Sequence, residues 1–497
     1  MKHTYLGIDM GTSAMKMVLI DSEKAVLRQV SEEYEAVHAG DGWSEIDPVI
    51  WYSAMKKGIH KIMEGQDTSA LAGIGVTGQM HTLIVLGEDG KAVRPAMMWN
   101  DTRTKIILPE LKNKIRKFPE GEYLSKTSST GSPAANLYWM KKYEPENLEK
   151  IKKFLIGPDY LVFCLTGNTV TDYCEASTSC LYRIDKKEWS EEIRQLIGLE
   201  KNTYPEIKGS ARKAGKILPE IAEEFQFSSD VEVIVGTGDN PATAISTGCL
   251  GLGYPVISLG TSGIFMMPIE KPESQTRGKK ILFSFDDKKY SFLVQGAVQC
   301  NGNTFDWWNR DIMEMRNFHK MTTELDVSKM AENELMFYPH LNGEKTIYAD
   351  TELRGAFTGI NLSTTQEDLF YAVIEGLCMG FRELAEKMKL PIREYGSVKV
   401  VGGGAKSPVW LQTMANVLNV SVEKMEGMIG PAFGIALLAS YKNENFSSLQ
   451  RITEGNVITE CCYQPDRKAA SFCEKKYEKY LRMRKGLKYI ENGSKVI

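Results

Sequence analysis

Apolar residues fall into short runs broken by Gly, Thr and Ser turns at two places far apart in the chain. Near the N-terminus, Tyr5-Leu6-Gly7-Ile8-Asp9 reads as a strand, Gly11-Thr12-Ser13 as a tight turn and residues 15–20 as a second strand. Far downstream, Val256-Ile257-Ser258-Leu259, the turn Gly260-Thr261-Ser262-Gly263 and residues 264–267 repeat that pattern. A hairpin repeated halfway along a chain predicts two related halves. Chance recurrence of a common tripeptide is the alternative. Elsewhere residues 72–76, 82–86, 231–235 and 398–401 read as strands. Residues 50–63, 368–388 and 408–418 have helical apolar spacing, and a further helix begins at Pro241. The alternation predicts an α/β protein. A Gly-rich stretch at residues 248–254 is the natural break, dividing the chain into 1–248 and 249–497. The Lys-, Arg- and Tyr-rich residues 475–488 read as a solvated helix face.

Length and charge narrow the picture. At roughly 100–200 residues per domain, 497 residues predict two to four domains. Lys and Arg number 61 against 64 Asp and Glu, so net charge supplies no reason to bind nucleic acid or an acidic membrane. Nine cysteines, an odd count with no C-x-x-C, fit neither a disulfide framework nor a zinc ribbon. They predict a reduced, cytoplasmic protein. The N-terminal residues lack an apolar signal core, and no apolar run reaches membrane-spanning length.

Several common chemistries find no motif. Gly402-Gly403-Gly404-Ala405-Lys406-Ser407 lacks the spacing of a P-loop and the third Gly of a dinucleotide fingerprint. There is no G-x-S-x-G elbow and no pair of histidines at i, i+4. What remains is a set of three Gly turns, at residues 11–13, 260–263 and 402–404, each after an apolar strand. Backbone N–H groups and small hydroxyls in such turns hold phosphates. Asp9 closes a strand just before the first turn, and Asp239 stands in Gly238-Asp239-Asn240 at the mouth of a helix. A carboxylate at the end of a buried strand is costly without a metal, donors or a proton. Phosphoryl transfer to a hydroxyl needs Mg²⁺ near the phosphates and a carboxylate to take the alcohol proton. Asp9 suits the first task and Asp239 the second; on local sequence, Asp239 reads equally well as a helix N-cap.

Turns of the GIDMGTS, SLGTSG and GGGA type, in this order, resemble the sugar-kinase, actin and chaperone ATPase superfamily. Gly355-Ala356-Phe357-Thr358-Gly359-Ile360, Asp368-Leu369 and Ala372-Val373-Ile374-Glu375 resemble the C-terminal signature of the FGGY carbohydrate kinases. Gln79-Met80-His81, Arg94-Pro95, Trp99-Asn100-Asp101-Thr102-Arg103 and Trp43-Ser44-Glu45 resemble the xylulokinases within that family. The likeness spans residues 5–440.

The resemblance implies two ribonuclease H-like domains of the actin/hexokinase ATPase type, with sugar and ATP meeting in the cleft between them. It implies transfer of the γ-phosphate of ATP to a pentulose, D-xylulose first. Asp239 would be the general base, and Asp9 with Asp239 would place Mg²⁺. Thr12, Ser13, Lys16 and Thr261 would hold phosphates, with Gly302, Asp306, Gly403, Gly404 and Ala405 around the nucleoside. Met80, His81, Trp99, Asp101 and Asn240 would face the sugar. Homodimers are common in the family. The sequence departs from the family pattern at Asn136, Ile347-Tyr348, Pro408 and Thr82, none of them among those positions. Ribulose, gluconate, erythritol and glycerol kinases are the alternatives within the family, and a partner-binding actin- or chaperone-like ATPase the alternative outside it.

Overall fold

A computed structural model describes residues 3–36, 40–271, 277–314, 318–344, 346–348, 350, 352–441 and 446–492. Two sheets organise it. The first is built from β1 (Thr4–Met10), β2 (Ala14–Asp21), β3 (Val26–Glu33), β4 (Leu71–Gly78), β5 (Lys213–Lys216) and β6 (Glu232–Ile234), in the order β5-β6-β4-β1-β2-β3. The second is built from β7 (Val256–Leu259), β8 (Gly263–Ile269), β9 (Lys279–Phe283), β10 (Ser291–Val298), β11 (Ser397–Val401), β12 (Ser421–Glu426) and β13 (Ile458–Tyr463), in the order β9-β10-β8-β7-β11-β12-β13.

Strand senses match between the two. In the first sheet β3, β2 and β1 run antiparallel, β4 and β6 join parallel, and β5 closes the edge antiparallel. In the second, β10, β8 and β7 are antiparallel, β11 and β12 parallel, and β13 antiparallel. The repeated hairpin is therefore the visible part of a whole repeated sheet. Among the described residues, β9 in the second sheet and a two-residue strand, Thr237–Gly238, beside β4 in the first have no counterpart.

Helices α1 (Pro48–Met63), α2 (Asp239–Ser246), α3 (Gln366–Lys387), α4 (Pro408–Leu418), α5 (Pro431–Ala439) and α6 (Arg467–Asn492) cover the faces. Asp47 caps α1 on the Val49 N–H, and Thr365 with Asp368 forms a capping box on α3. α1 lies on β2 and β3, and buries Trp51, Met55, Ile59 and Ile62 at helical spacing. α3, α4 and α6 contribute to one core with β7, β8 and β11. α5 packs across β1, β2 and β4 of the first sheet, although it lies in the second half of the chain. It also packs on α2, so the two halves share a core that includes Tyr5, Ala242, Val256, Met266 and Phe433.

Residues 82–86, read as a strand, form one over Leu83–Leu86. It belongs to a separate four-stranded sheet with Glu45–Ile46, Ala96–Met97 and Lys153–Ile156. Among the described residues no helix is long and apolar enough to cross a membrane.

Candidate active site

The first centre forms where parallel strands end. Asp9 is next to last in β1 and is in register with Thr77 of β4. A two-residue strand, Thr237–Gly238, pairs with Thr77 and Gly78 on the other side of β4. Asp239 follows it at once, so the two acids emerge at the carboxyl ends of neighbouring strands, where open α/β sheets bind ligands. Asp239 is the first residue of α2, and the cap position belongs to Gly238. The Asp239 side chain accepts only the Asn240 N–H, at 2.7 Å, and is partly open to solvent. Asp239 is thus the first helical residue rather than the cap itself, and its carboxylate accepts the N–H of the next residue.

The electrostatics of the two acids differ. Burial, reinforced by the negative charge of Asp239 and opposed by Lys16, pushes Asp9 up to about 8. Asp9 Oδ1 is buried with no hydrogen-bond partner. Burial also raises Asp239, but the Asn240 N–H and the positive charge of Lys279 hold it at about 6. A cavity of about 520 Å³ opens beside Asp9 and Lys16, walled by Ser31, Gly430 and Ala432.

Gln79, Met80 and His81 follow β4 directly. The Gln79 N–H donates to the Met10 carbonyl at 2.9 Å, tying this turn to the end of β1. His81 adopts φ 71°, a left-handed conformation rare outside glycine. Its N–H donates to Glu175 Oε2 at 3.3 Å. Burial and Lys279 push the imidazole well below its usual range, so it is neutral. Met80 is buried, and its sulfur receives the Asn240 amide at 3.8 Å. Trp99 is 47% exposed, and its indole N–H donates to Thr12 Oγ1 at 3.1 Å. The Trp99 backbone N–H is held by Thr82 Oγ1 at 3.2 Å. Asp101 differs from this group. It is fully buried, accepts from Arg103 Nη2 at 2.6 Å and Ser44 N at 2.8 Å, and so anchors an Arg103 guanidinium stacked 3.7 Å from the Trp43 ring.

A second centre forms at the corresponding end of β7. The N–H groups of Gly302 and Asn303 donate to the carbonyls of Gly260 and Thr261 at 3.1 and 3.2 Å. Gly402, at φ 96°, lies so close to β7 that a Cβ there would sit 2.7 Å from the Leu259 carbonyl oxygen. Thr261, Gly302 and the 403–405 turn thus converge on one strand end. Gly403 has open space where a side chain would be, and Asp306 is exposed on the helix Gly302–Trp307. Thr12 and Ser13 form the equivalent turn of the first sheet, and Lys16 projects from β2 opposite Asp9.

Two further residues join the first centre. Glu175 is wholly buried; burial and the neighbouring Asp172 push it well above the carboxylate range, and its Oε1 has no partner. In sequence, Asp172-x-x-Glu175 reads as an N-cap with an acid at N3, and Asp172 does accept the Glu175 N–H at 2.9 Å. That reading hides the outward role of the Glu175 carboxylate. Lys279, from β9, places Nζ 2.6 Å from His81 Nε2. No motif marks it, because it reaches this site only through the fold.

Comparison with known proteins identifies the architecture. Residues 4–246 match the family model described as the N-terminal domain of the FGGY family of carbohydrate kinases, and residues 256–442 match its C-terminal domain. The chain belongs to the FGGY family of carbohydrate kinases. The xylulose kinase of Bacillus subtilis is 32% identical over 476 residues, 95% of this chain and 92% of that protein. The xylulose kinase of Staphylococcus xylosus is 30% identical over 90% of this chain and 93% of its own length. Among solved structures, a xyloylose kinase from Brucella ovis superposes with a TM-score of 0.86 at 26% identity, covering 98% of this chain and 100% of that one. A gluconate kinase from Lactobacillus acidophilus gives the same TM-score at 25% identity, covering 98% of each. The two matched sheets are thus the two domains of an actin/hexokinase-like FGGY kinase, and the chain is a carbohydrate kinase.

Proposed function

We propose that this FGGY kinase transfers the γ-phosphoryl group of ATP to a pentulose, converting D-xylulose to D-xylulose 5-phosphate, with Asp239 as general base. Asp239 carries the reading. It stands at the start of α2 at the end of the strand beside Asp9, is partly exposed and, at about 6, is ionised at neutral pH. The sugar hydroxyl oxygen attacks Pγ, the bond from Pγ to the β–γ bridging oxygen breaks, and the hydroxyl proton passes to Asp239. The close relatives named as xylulose kinases support the choice of sugar.

The remaining residues divide by chemistry. His81, Met80, Trp99 and Asn240 would bind the sugar, with Asp101 holding the Trp99–Arg103 segment in place. Thr12, Ser13, Lys16 and Thr261 would bind phosphates. Gly302, Asp306, Gly403, Gly404 and Ala405 would line the nucleoside. On this reading residues 1–248 carry the sugar and the first phosphate turn, and 249–497 the nucleotide. The unpartnered, buried Asp9 Oδ1, destabilised as an anion beside Asp239, suits a divalent cation. Among the described residues no cluster of three or more His, Cys, Asp or Glu forms a self-contained metal cage. That fits Mg²⁺ held by one or two carboxylates with substrate phosphates and water. Bound there with Asp239 near by, Mg²⁺ would neutralise the charge of the transferring phosphates.

The test is ADP release from Mg-ATP with D-xylulose, D-ribulose, gluconate, erythritol, glycerol or no acceptor. Stimulation by D-xylulose above the others is expected, and Asp239→Ala should lower kcat by about 10²–10⁴-fold while nucleotide still binds. Selective stimulation by gluconate would reassign the sugar, a live comparison given the gluconate kinase superposition. Acceptor-independent hydrolysis would favour a partner-binding ATPase.

A further inference from the structure

We propose that Lys279, supplied by the second domain, is a further catalytic residue, whose ammonium binds the acceptor sugar beside His81 and faces the phosphoryl group in flight. This inference rests on the kinase reading above.

The geometry begins with the unmatched strand β9. Its Leu282 N–H donates to Ser177 Oγ at 3.0 Å, on the first-domain helix Tyr173–Thr178. Just beyond β9, the carbonyls of Ser284 and Phe285 accept from the N–H groups of Ser210 and Ala211 at 2.9 and 3.1 Å. The strand is therefore fastened to the first domain along its length. Lys279 is its first residue, and this docking sets where its ammonium goes. The helix that receives β9 also carries Glu175, which holds the left-handed His81 backbone. One contact surface thus positions both partners of the Lys279–His81 pair.

The pair has a defined protonation. An ammonium 2.6 Å from Nε2 donates to it, so Nε2 is the acceptor and the imidazole proton resides on Nδ1, which is buried and unpartnered. Lys279 is exposed as a residue, yet its ammonium is crowded by protein, and burial there pushes it below the usual lysine range. Its side-chain contact is with His81 Nε2 rather than with a carboxylate. The charged and titratable groups acting on it from neighbouring elements are Asp239 of α2, and Glu175 and Cys174 of the Tyr173–Thr178 helix, with His81 in contact. A cation in contact with the imidazole of the sugar site, and within the field of the base, lies where negative charge develops during transfer. Fixed charges aimed at that position are the strongest general means of lowering such a barrier.

Full-length Lys279→Met and Lys279→Arg test this by steady-state kinetics with Mg-ATP and the acceptor that best stimulates the wild-type protein. Lys279→Met should lower kcat about 10- to 100-fold and raise the sugar KM, with the nucleotide KM within about threefold and Tm within about 2 °C. Lys279→Arg should recover part of the lost kcat, which a packing role would not produce. A Lys279→Met kcat within twofold of wild type would overturn the assignment. So would a loss confined to nucleotide KM, or an arginine variant no better than methionine. Absence of acceptor-stimulated turnover in the wild-type protein would instead sink the kinase reading, and this inference with it.

Discussion

At the scale of single residues, buried carboxyls behind the site make stability depend on pH in a definite direction. Asp172 is buried at the start of the Tyr173–Thr178 helix, and burial pushes it up to about 7 despite the N–H of Glu175 and the hydroxyl of Thr237. Its folded-state pKa lies above its unfolded value near 3.8, so the folded form binds this proton more tightly. The stabilisation is complete below the unfolded pKa and is lost as pH rises towards and through about 7. Asp159 and Glu175 are raised by burial as well. Asp172→Asn keeps the capping oxygen and removes the titration. Its Tm should fall less than that of wild type between pH 5 and 8, and should exceed it by about 2–4 °C at pH 8. Parallel Tm curves for the two proteins across that range would refute the argument. The same scale explains why part of the site was hard to read. Asp9, Thr12 and His81 belong to local turns, and local turns are visible in a linear sequence. Glu175 and Lys279 act on His81 across 94 and 198 residues, and nothing near them in sequence signals it. Asp101 was visible as an acid but not as the partner of Arg103, two residues on.

At the scale of elements, α2 and α5 carry the active-site geometry because they cross almost in backbone contact. A Cβ on Gly434 would sit 1.9 Å from the Ala242 carbonyl oxygen and 3.2 Å from the Ser246 nitrogen. No rotamer change relieves a clash with backbone, so Gly434→Ala must push the helices apart. The gain in helix propensity, about 1 kcal/mol, is smaller than the expected overpacking cost of about 1–3 kcal/mol or more. Lower Tm and reduced kcat should appear together, since α2 begins at Asp239; a fully active, equally stable variant would show that the crossing has slack. Elements differ in legibility for a related reason. β1, β2, β7 and β8 are buried apolar strands with a Gly turn between them, and their pattern is plain. β3 has the half-exposed polar sequence VLRQVSEE, and β9 opens on two lysines, so neither stands out from a loop. α5, with every residue from Ala432 to Ala439 buried, shows no amphipathic period because it packs on all sides.

At the scale of the molecule, sequence order and packing order disagree, and that disagreement has a measurable consequence. The two sheets repeat one topology; the last strand of the first ends at Gly238, and the first strand of the second begins at Val256. Yet α5, encoded late in the chain, covers β1, β2 and β4 of the first sheet, and β9 with the residues just after it docks on the first domain by hydrogen bonds at Leu282, Ser284 and Phe285. Cutting at 248 would strip the first sheet of α5 and expose Tyr5, Val18, Ile20 and the Gly7 and Gly75 backbone to which α5 is closely fitted. Burial of that face is part of what stabilises the first half. Residues 1–248 expressed alone should therefore bind the dye ANS and lack a cooperative thermal transition, as loosely packed states do. Mixed and refolded with residues 249–497, the pair should regain a single transition and acceptor-stimulated ADP release. Cooperative unfolding of the isolated 1–248 fragment would mean that the first sheet needs no helix from the second half. The two halves would then be separable units joined at their active site, and the shared core would matter for alignment rather than for folding.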